Sequence, residues 1–161
     1  MGFAQQLNKL PHPPLSLLMK PVHAIPWELR NRPLALALNK AFAQPLAEGD
    51  LEPLEGHWLH ICVTDLTLDF YLTVNNDTIV LSGPRPCDVK ISGGSRDFLV
   101  MAARREDPDT LFFHRRLCIE GNTELGLAVK NMLDAIEFEQ LPAVVQWAIK
   151  RLDSLNQTFS R

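Results

Sequence analysis

The pair of side chains that most suggests metal chemistry is His57 and His60, in the stretch His57-Trp58-Leu59-His60. Zinc in proteins is bound by histidine, cysteine and carboxylate groups that converge on one point. The residues that follow alternate between apolar and polar, which predicts a β-strand. Because residues three apart on a strand point to opposite faces of the sheet, the two imidazoles should diverge. We therefore expect no metal site from this pair.

The cysteines do not suggest a catalytic arrangement either. Cys62, Cys87 and Cys118 form no C-x-x-C pair, and their odd number argues against a disulfide framework. Each stands among predicted strand or turn residues with no histidine or carboxylate implied beside it, so small buried side chains are favoured over reactive thiols. A reducing cytoplasm is the simpler compartment for such a chain.

Glycine-containing motifs of common enzymes are missing. The sequence has no G-x-S-x-G, no G-x-x-x-x-G-K and no G-x-G-x-x-G. The turn Ser92-Gly93-Gly94-Ser95 precedes a predicted helix, whose first N–H groups could bind an anion such as a phospholipid headgroup. A turn capped by Ser95 would have the same sequence. Both interpretations stay open from the sequence.

Composition and charge are those of one globular domain. Of 161 residues, 46% are hydrophobic and 22% charged, and the formal net charge of −3 argues against a nucleic-acid partner. No window approaches about eighteen unbroken apolar residues, so no membrane-spanning helix is expected. The first 47 residues are nevertheless basic, since a single acidic residue, Glu28, stands against Lys9, Lys20, Arg30, Arg32 and Lys40.

Residues 1–33 are predicted to be a proline-rich basic arm that precedes a domain of residues 34–161. Eight of the 12 prolines fall in the first 53 residues, and prolines so spaced interrupt long helices. Either the arm packs on its own domain, or it contacts an anionic membrane surface. The candidates for membrane contact are Leu18, Met19, Lys20 and Trp27.

Hydrophobic periodicity predicts the elements of the domain. A helix is expected over residues 33–47, where apolar residues recur every three or four positions. Over residues 57–81 the period becomes two, which predicts three strands in an antiparallel meander with a hairpin at 75–77. A short strand at 89–91 then leads into a helix over residues 96–105.

The most informative stretch is 109–137. The turn signal Asp107-Pro108-Asp109 and the apolar cluster Leu111-Phe112-Phe113 precede a strand over 115–120, and Asn122 or Thr123 then caps a helix. Five apolar side chains of this helix share one stripe: Leu125, Val129, Met132, Leu133 and Ile136. With a last helix from residue 142, these elements predict an α+β fold, an antiparallel or mixed sheet of about five strands with helices on one face.

The pattern DP-x-x-LFF-x-RRL-x-IEG-x-TELGL-x-VKN-x-LDAIE over residues 107–137 resembles the lipid-binding domain of the sterol carrier protein type two family. The resemblance extends from about Leu54 through the last helix. Within the family it is similar to bacterial accessory factors of ubiquinone biosynthesis. It implies an elongated apolar cavity between the sheet and the helices. The candidate cavity residues are then Leu38, Phe42, Ile61, Val63, Phe70, Phe98, Leu99, Met101, Leu125, Val129, Met132, Leu133 and Ile136.

By the same resemblance the chain is a carrier with no catalytic residues, no cofactor and no metal. It would hold polyprenylated ubiquinone precursors or phospholipid and present them, independently of oxygen, to hydroxylating partners of the UbiU–UbiV type. It would act in the cytoplasm or at the periphery of the inner membrane. Two alternatives stay open: a scaffold of the same fold with a filled core, and a small module that handles thioesters, for which the turn at 92–95 is the one glycine-rich candidate.

Overall fold

The computed structural model describes residues 24–135, 137–141, 143, 146, 147, 150 and 151. Short 3-10 turns occur at Glu52–Leu54 and Phe138–Gln140. The remaining elements are five strands and five helices within this part of the chain. They are α1 (Trp27–Ala41), α2 (Ala43–Glu48), β1 (Leu59–Val63), β2 (Leu68–Asn75), β3 (Thr78–Ser82), β4 (Val89–Gly93), α3 (Ser95–Ala102), α4 (Pro108–Phe113), β5 (Leu117–Gly121) and α5 (Thr123–Asp134).

The strands form one mixed sheet in the order β3-β2-β1-β4-β5. β1, β2 and β3 make the antiparallel meander that the alternation predicted, while β4 runs parallel to β1 and antiparallel to β5. The hairpin turns at Asn76 and Asp77, whose φ angles of 47° and 53° are those of a type I′ turn. The prediction of an α+β fold with a sheet of about five strands is confirmed.

One face of the sheet carries the core. Leu59, Leu72, Ile91 and Leu117 point to this face from four different strands and are almost completely buried. The predicted stripe of α5 packs against them, and Leu125, Val129, Met132 and Leu133 are buried as expected. Removing this apolar surface from water stabilises the fold by about 25 cal/mol per Å². The alternation of each strand thereby fixes which side the helices cover.

Helix α1 lies along the outer edge of the sheet and hydrogen-bonds to it. The Asn39 side chain donates through Nδ2 to the Ile79 carbonyl (2.9 Å) and accepts through Oδ1 from the Ile79 N–H (2.8 Å). Asn31, which is buried, donates to the Ser82 carbonyl at the other end of β3 (3.2 Å). Unpaired backbone groups on an edge strand invite pairing with another chain. Side chains of α1 bond to the N–H and carbonyl of Ile79 and to the carbonyl of Ser82, and so cover part of this edge.

The predicted start of the first helix is wrong, and the helix is interrupted, although its end near residue 47 agrees with the structure. Instead of running unbroken over residues 33–47, α1 begins at Trp27 and contains Pro33 in its interior, and Phe42 separates it from α2. A proline inside a helix costs one hydrogen bond. Tertiary bonds from Arg30 and Asn31 to the sheet hold the turns that precede it. The boundary expected between arm and domain, at 33/34, therefore lies within a helix.

Three smaller predictions are also corrected. The turn and apolar cluster at 107–113 form a short helix, α4, because Asp107 caps it by accepting from the Thr110 N–H (3.1 Å). β5 begins at Leu117 because Arg115 has a left-handed φ of 57°, which lies outside the extended range of non-glycine strand residues. α3 ends at Ala102, three residues early. Residues 143, 146, 147, 150 and 151 are helical, and the rest of the predicted last helix lies outside the described residues.

Replacing Asn39 with alanine should lower the free energy of unfolding by about 2 kcal/mol, because the N–H and carbonyl of the buried Ile79 lose their partners. Gln44→Ala is the matched control, since Gln44 bonds only to Glu48 at an exposed site of α2. That change should cost less than about 0.5 kcal/mol. Equal urea midpoints for the two variants would show that α1 does not stabilise the edge.

Gly121 and Gly56 form a second matched pair. Both have positive φ angles, 106° and 75°, but a Cβ at Gly121 would lie 2.3 Å from the Asp88 carbonyl oxygen, whereas a Cβ at Gly56 meets nothing within 4 Å. Gly56→Ala should cost about 1 kcal/mol from backbone strain alone. Gly121→Ala should cost about 3 kcal/mol or more because strain and overlap add. Urea unfolding measures both, and similar losses would contradict the close approach.

Candidate functional site

An open groove runs between α4, β5 and α5 and has a volume of 670 Å³. Its lining is mainly apolar, with Phe112 from α4, Leu117 and Ile119 from β5, and Leu127 from α5. Leu117 is fully buried and forms the floor, while Leu127 is 58% exposed at the rim. Ligand sites of 300–1,000 Å³ with an apolar lining are typical of small-molecule binding proteins. The groove is the candidate functional site.

The turn between β5 and α5 sets the shape of the groove. Gly121 leaves the sheet with a φ of 106°, and Asn122 begins the helix by accepting from the Leu125 N–H (3.1 Å). This confirms Asn122, of the two predicted candidates, as the cap. One turn later, Gly126 lies so close to β5 that a Cβ there would stand 3.0 Å from Ile119. This contact presses the helix onto the strand and leaves Leu127 facing outward.

Charged side chains stand at the rim. Lys130 of α5 pairs with Asp109 of α4, so the ion pair joins the two helices that border the groove. The hydrogen bond to Asp109 raises the pKa of Lys130, which keeps this side chain cationic. Arg115 adds a second positive charge to the lining, and Glu120 a negative one. These four charges sum to zero, so the arrangement suits an apolar chain with a polar end at the rim.

Most of the cavity residues expected from the resemblance lie in the core and not in this groove. Six are buried in the central cluster: Phe42, Met101, Leu125, Val129, Met132 and Leu133. Leu38, Ile61 and Phe98 are partly buried against that cluster. Val63, Phe70 and Leu99 are half-buried, and Ile136 lies outside the described residues. Their role in lipid binding stays a prediction.

Of the candidates for membrane contact, only Trp27 is described by the structure; Leu18, Met19 and Lys20 lie outside the described residues. Trp27 is 40% exposed, and one side of its indole covers Gly83, where a Cβ would stand 2.8 Å from the ring. The residue therefore packs on the domain and still presents apolar surface to solvent. None of the helices in the described part of the chain is long and apolar enough to cross a bilayer.

The turn at 92–95 is not an open anion site. The Asp65 carboxylate accepts from the Ser95 N–H (2.8 Å) and from the Ser95 hydroxyl (2.6 Å). Gly94, and not Ser95, is the N-cap residue of α3. Because the Asp65 carboxylate occupies the N–H and the hydroxyl of Ser95, these two donors are not available to a lipid headgroup or to a coenzyme A phosphate. This weakens the one feature that favours a thioester-handling module.

The groove could not be predicted from the sequence because its lining comes from three elements, α4, β5 and α5, and depends on how they pack together. The alternation over residues 115–120 predicts that Leu117 and Ile119 share one face of a strand, as the register shows, but nothing in it marks that strand as an edge. One signal was present in the sequence: Leu127 is apolar yet falls off the buried stripe of α5. Its exposure in the structure marks the rim.

Comparison with known proteins places the chain in a family. The model of the SCP-2 sterol transfer family matches residues 37–134. The ubiquinone biosynthesis accessory factor UbiT of Escherichia coli strain K12 is 46% identical over 145 residues, which are 90% of this chain and 83% of the relative. UbiT of Escherichia coli O157:H7 matches equally well.

Among solved structures, the ubiquinone synthesis protein UbiJ-SCP2 superposes with a TM-score of 0.55 at 15% sequence identity, covering 70% of this chain and all of that one. At this identity the likeness concerns the fold, and it agrees with the mixed five-stranded sheet described above. The family model matches most of the described residues, and a relative at 46% identity matches 90% of the chain. This chain therefore belongs to the SCP-2 sterol transfer family.

Proposed function

We propose that this protein is a lipid-binding accessory factor of ubiquinone biosynthesis that has no catalytic activity of its own. The observation that carries the proposal is an apolar groove of 670 Å³ in a chain 46% identical to UbiT. We infer further that its ligand is a polyprenylated ubiquinone precursor, or a phospholipid, and that it presents the ligand to hydroxylating partners of the UbiU–UbiV type.

The groove supports binding of the apolar tail. Phe112, Ile119 and Leu127 offer a continuous apolar wall, and covering it with a hydrocarbon chain yields about 25 cal/mol per Å² removed from water. The polar end of the ligand would lie at the rim, beside Arg115 and Lys130. A tail held at the edge of the sheet keeps its ring exposed, which a partner enzyme needs in order to modify it.

The candidate cavity residues predicted from the sequence lie deeper than the groove, between α5 and the sheet, and we propose that the tail of the ligand reaches them. Leu125, Val129 and Met132 lie on the inner side of α5, opposite Leu127. A tail that starts in the groove would reach them if α5 moved away from β5 at the Gly126–Ile119 contact. Met132 is a flexible side chain that adapts to ligands of different shape. The groove would then be the entrance, and a cavity would form where α5 now packs closely on the sheet.

Helix α1 supports peripheral contact with a membrane. Its outward side exposes Leu29 (63%) and Leu36 (75%), with Arg32 and Lys40 exposed beside them. Positions 29, 32, 36 and 40 recur every three or four residues and so share one face of the helix. Exposed apolar and basic residues on one helical face are typical of binding at an anionic lipid surface. We propose that this face of α1 forms the contact. Trp27 begins the same helix but lies on its other side, against Gly83, so any contact that it makes with lipid would be through its exposed edge.

A scaffold of the same fold is the second candidate. It is favoured by the close packing above the sheet, where Leu59, Ile91 and Val129 are completely buried. A scaffold needs no lipid and would bind partner enzymes through its surface. Native mass spectrometry of the purified protein separates the two, because a carrier retains lipid or takes up an added isoprenoid quinone precursor and a scaffold does neither.

Leu127→Glu should weaken binding of a prenylated quinone probe about tenfold or more, because the substitution removes an apolar contact and places a carboxylate at the rim. Asn131→Glu is the matched control, one turn further along α5, exposed and away from the lining. It should bind as the unmodified protein does. Probe fluorescence titrations measure both affinities, and an equal loss in the two variants would exclude the groove as the entrance.

Leu36→Asp should reduce co-sedimentation with anionic vesicles several-fold, because it adds a negative charge to the apolar face of α1. Gln44→Asp, which adds the same charge at an exposed site on α2, should leave sedimentation unchanged. Neutral phosphatidylcholine vesicles provide the second comparison. If Leu36→Asp sediments as well as Gln44→Asp, α1 is not the membrane-contacting surface.

A further inference from the structure

Three potential metal ligands converge on the face of the sheet opposite the core. His60 and Cys62 are two residues apart on β1, so both point to this face, and Asp69 stands directly across from Cys62 on β2. The ligand atoms of the three side chains lie within 4.8 Å of one another. The pair considered from the sequence, His57 and His60, does not converge: His57 instead lies 3.6 Å from Asp88.

Neighbouring groups hold the three side chains in place. The His60 Nε2 atom lies 2.6 Å from Asp69 Oδ1, within hydrogen-bond distance. The Tyr71 ring stacks on the imidazole, with centroids 4.3 Å apart and planes 9° from parallel. Cys62 is half-buried, and burial, followed by the charge of Asp69, raises the pKa of its thiol. The expectation that no histidine or carboxylate stands near Cys62 is therefore wrong.

We infer that His60, Cys62 and Asp69 bind a divalent metal ion of the zinc class. Imidazole nitrogen, thiolate sulfur and carboxylate oxygen are the donors that zinc prefers, and thiolate disfavours magnesium and calcium. With zinc bonds of about 2.0–2.3 Å at tetrahedral angles, ligand atoms stand about 3.4–3.6 Å apart. The His60 and Asp69 atoms must separate by about 1 Å from their hydrogen-bonded distance, which side-chain rotation allows.

The charges of the site balance on binding. A thiolate and a carboxylate together carry the two negative charges that a divalent cation neutralises, and His60 contributes a neutral nitrogen. The Cys62 thiol must give up its proton when the metal binds, as at every cysteine-containing zinc site. Without a metal, burial and the charge of Asp69 raise the pKa of the Cys62 thiol, and Lys90 on the neighbouring strand β4 opposes this effect only in part, so the metal itself must displace the proton.

Three protein ligands leave one position of a tetrahedral ion open. Asp69 and Tyr71 line a second cleft, of 360 Å³, together with Trp27, Arg30 and Pro84. The open position can therefore take a water molecule or a small anionic group that enters through this cleft. The site lies on the opposite face of the sheet from the core and shares no lining residue with the groove at β5, so the inference does not depend on lipid binding.

The test is a zinc titration of the chelator-stripped full-length protein in competition with a chromophoric chelator. The protein should bind one Zn²⁺ per chain. Cys62→Ser, His60→Gln and Asp69→Asn should each lower the affinity about 100-fold or more, because loss of groups that only orient a ligand already costs 10–100-fold. Cys118→Ser is the matched control, since Cys118 is an exposed thiol on β5, and it should bind zinc normally.

Two further measurements distinguish a variant that has lost a metal-binding side chain from a variant that has not folded. Zn²⁺ should raise the urea midpoint of the unmodified protein and of Cys118→Ser, but not of Cys62→Ser, whose metal-free midpoint is measured in parallel. Co²⁺ should give a thiolate-to-cobalt charge-transfer band that only Cys62→Ser abolishes. Binding well below one ion per chain, normal affinity in Cys62→Ser, or an equal loss in Cys118→Ser would each overturn the site.

Discussion

The close approach of Gly121 to Asp88 is the contact on which the rest of this structure depends. The Asp88 carbonyl accepts from the Asn122 N–H (3.0 Å), its own N–H donates to the Trp58 carbonyl (2.9 Å), and its carboxylate accepts from the Trp58 N–H (2.8 Å). One residue thus joins the starts of β1 and β4 to the end of β5. Because a side chain at 121 would occupy this space, only glycine lets the chain turn there into α5.

The two edge strands of the sheet have different surroundings: β3 is hydrogen-bonded to a helix, and β5 borders a groove. At β3 the asparagines of α1 hydrogen-bond to Ile79 and Ser82 and cover part of that edge. At β5 the chain turns away, and the edge borders a groove walled by α4 and α5. A sheet of this size needs protection at both ends.

The two faces are distinguished by the same alternation that forms the strands. Residues such as Leu59 and Ile61 face the helices and build the core, and His60 and Cys62, between them in sequence, face the other way. Because alternate residues of a strand point to opposite faces, the polar residues between the core residues all lie on the other face of the sheet. Whether polar side chains on neighbouring strands meet depends on register, and here the register places Asp69 opposite Cys62.

Periodicity and turn chemistry in the sequence alone determined the meander, the Asn76–Asp77 hairpin, the buried stripe of α5 and the fold class, because these depend on neighbours a few residues apart. Tertiary structure decided the rest. Helix α1 crosses Pro33 because distant bonds from Asn31 and Asn39 compensate for the N–H that proline lacks. The groove at β5 depends on how α4, β5 and α5 pack against one another, and the cluster around His60 depends on the register of β1 against β2, which places Asp69 opposite Cys62. Periodicity predicts the elements but fixes neither their packing nor their register.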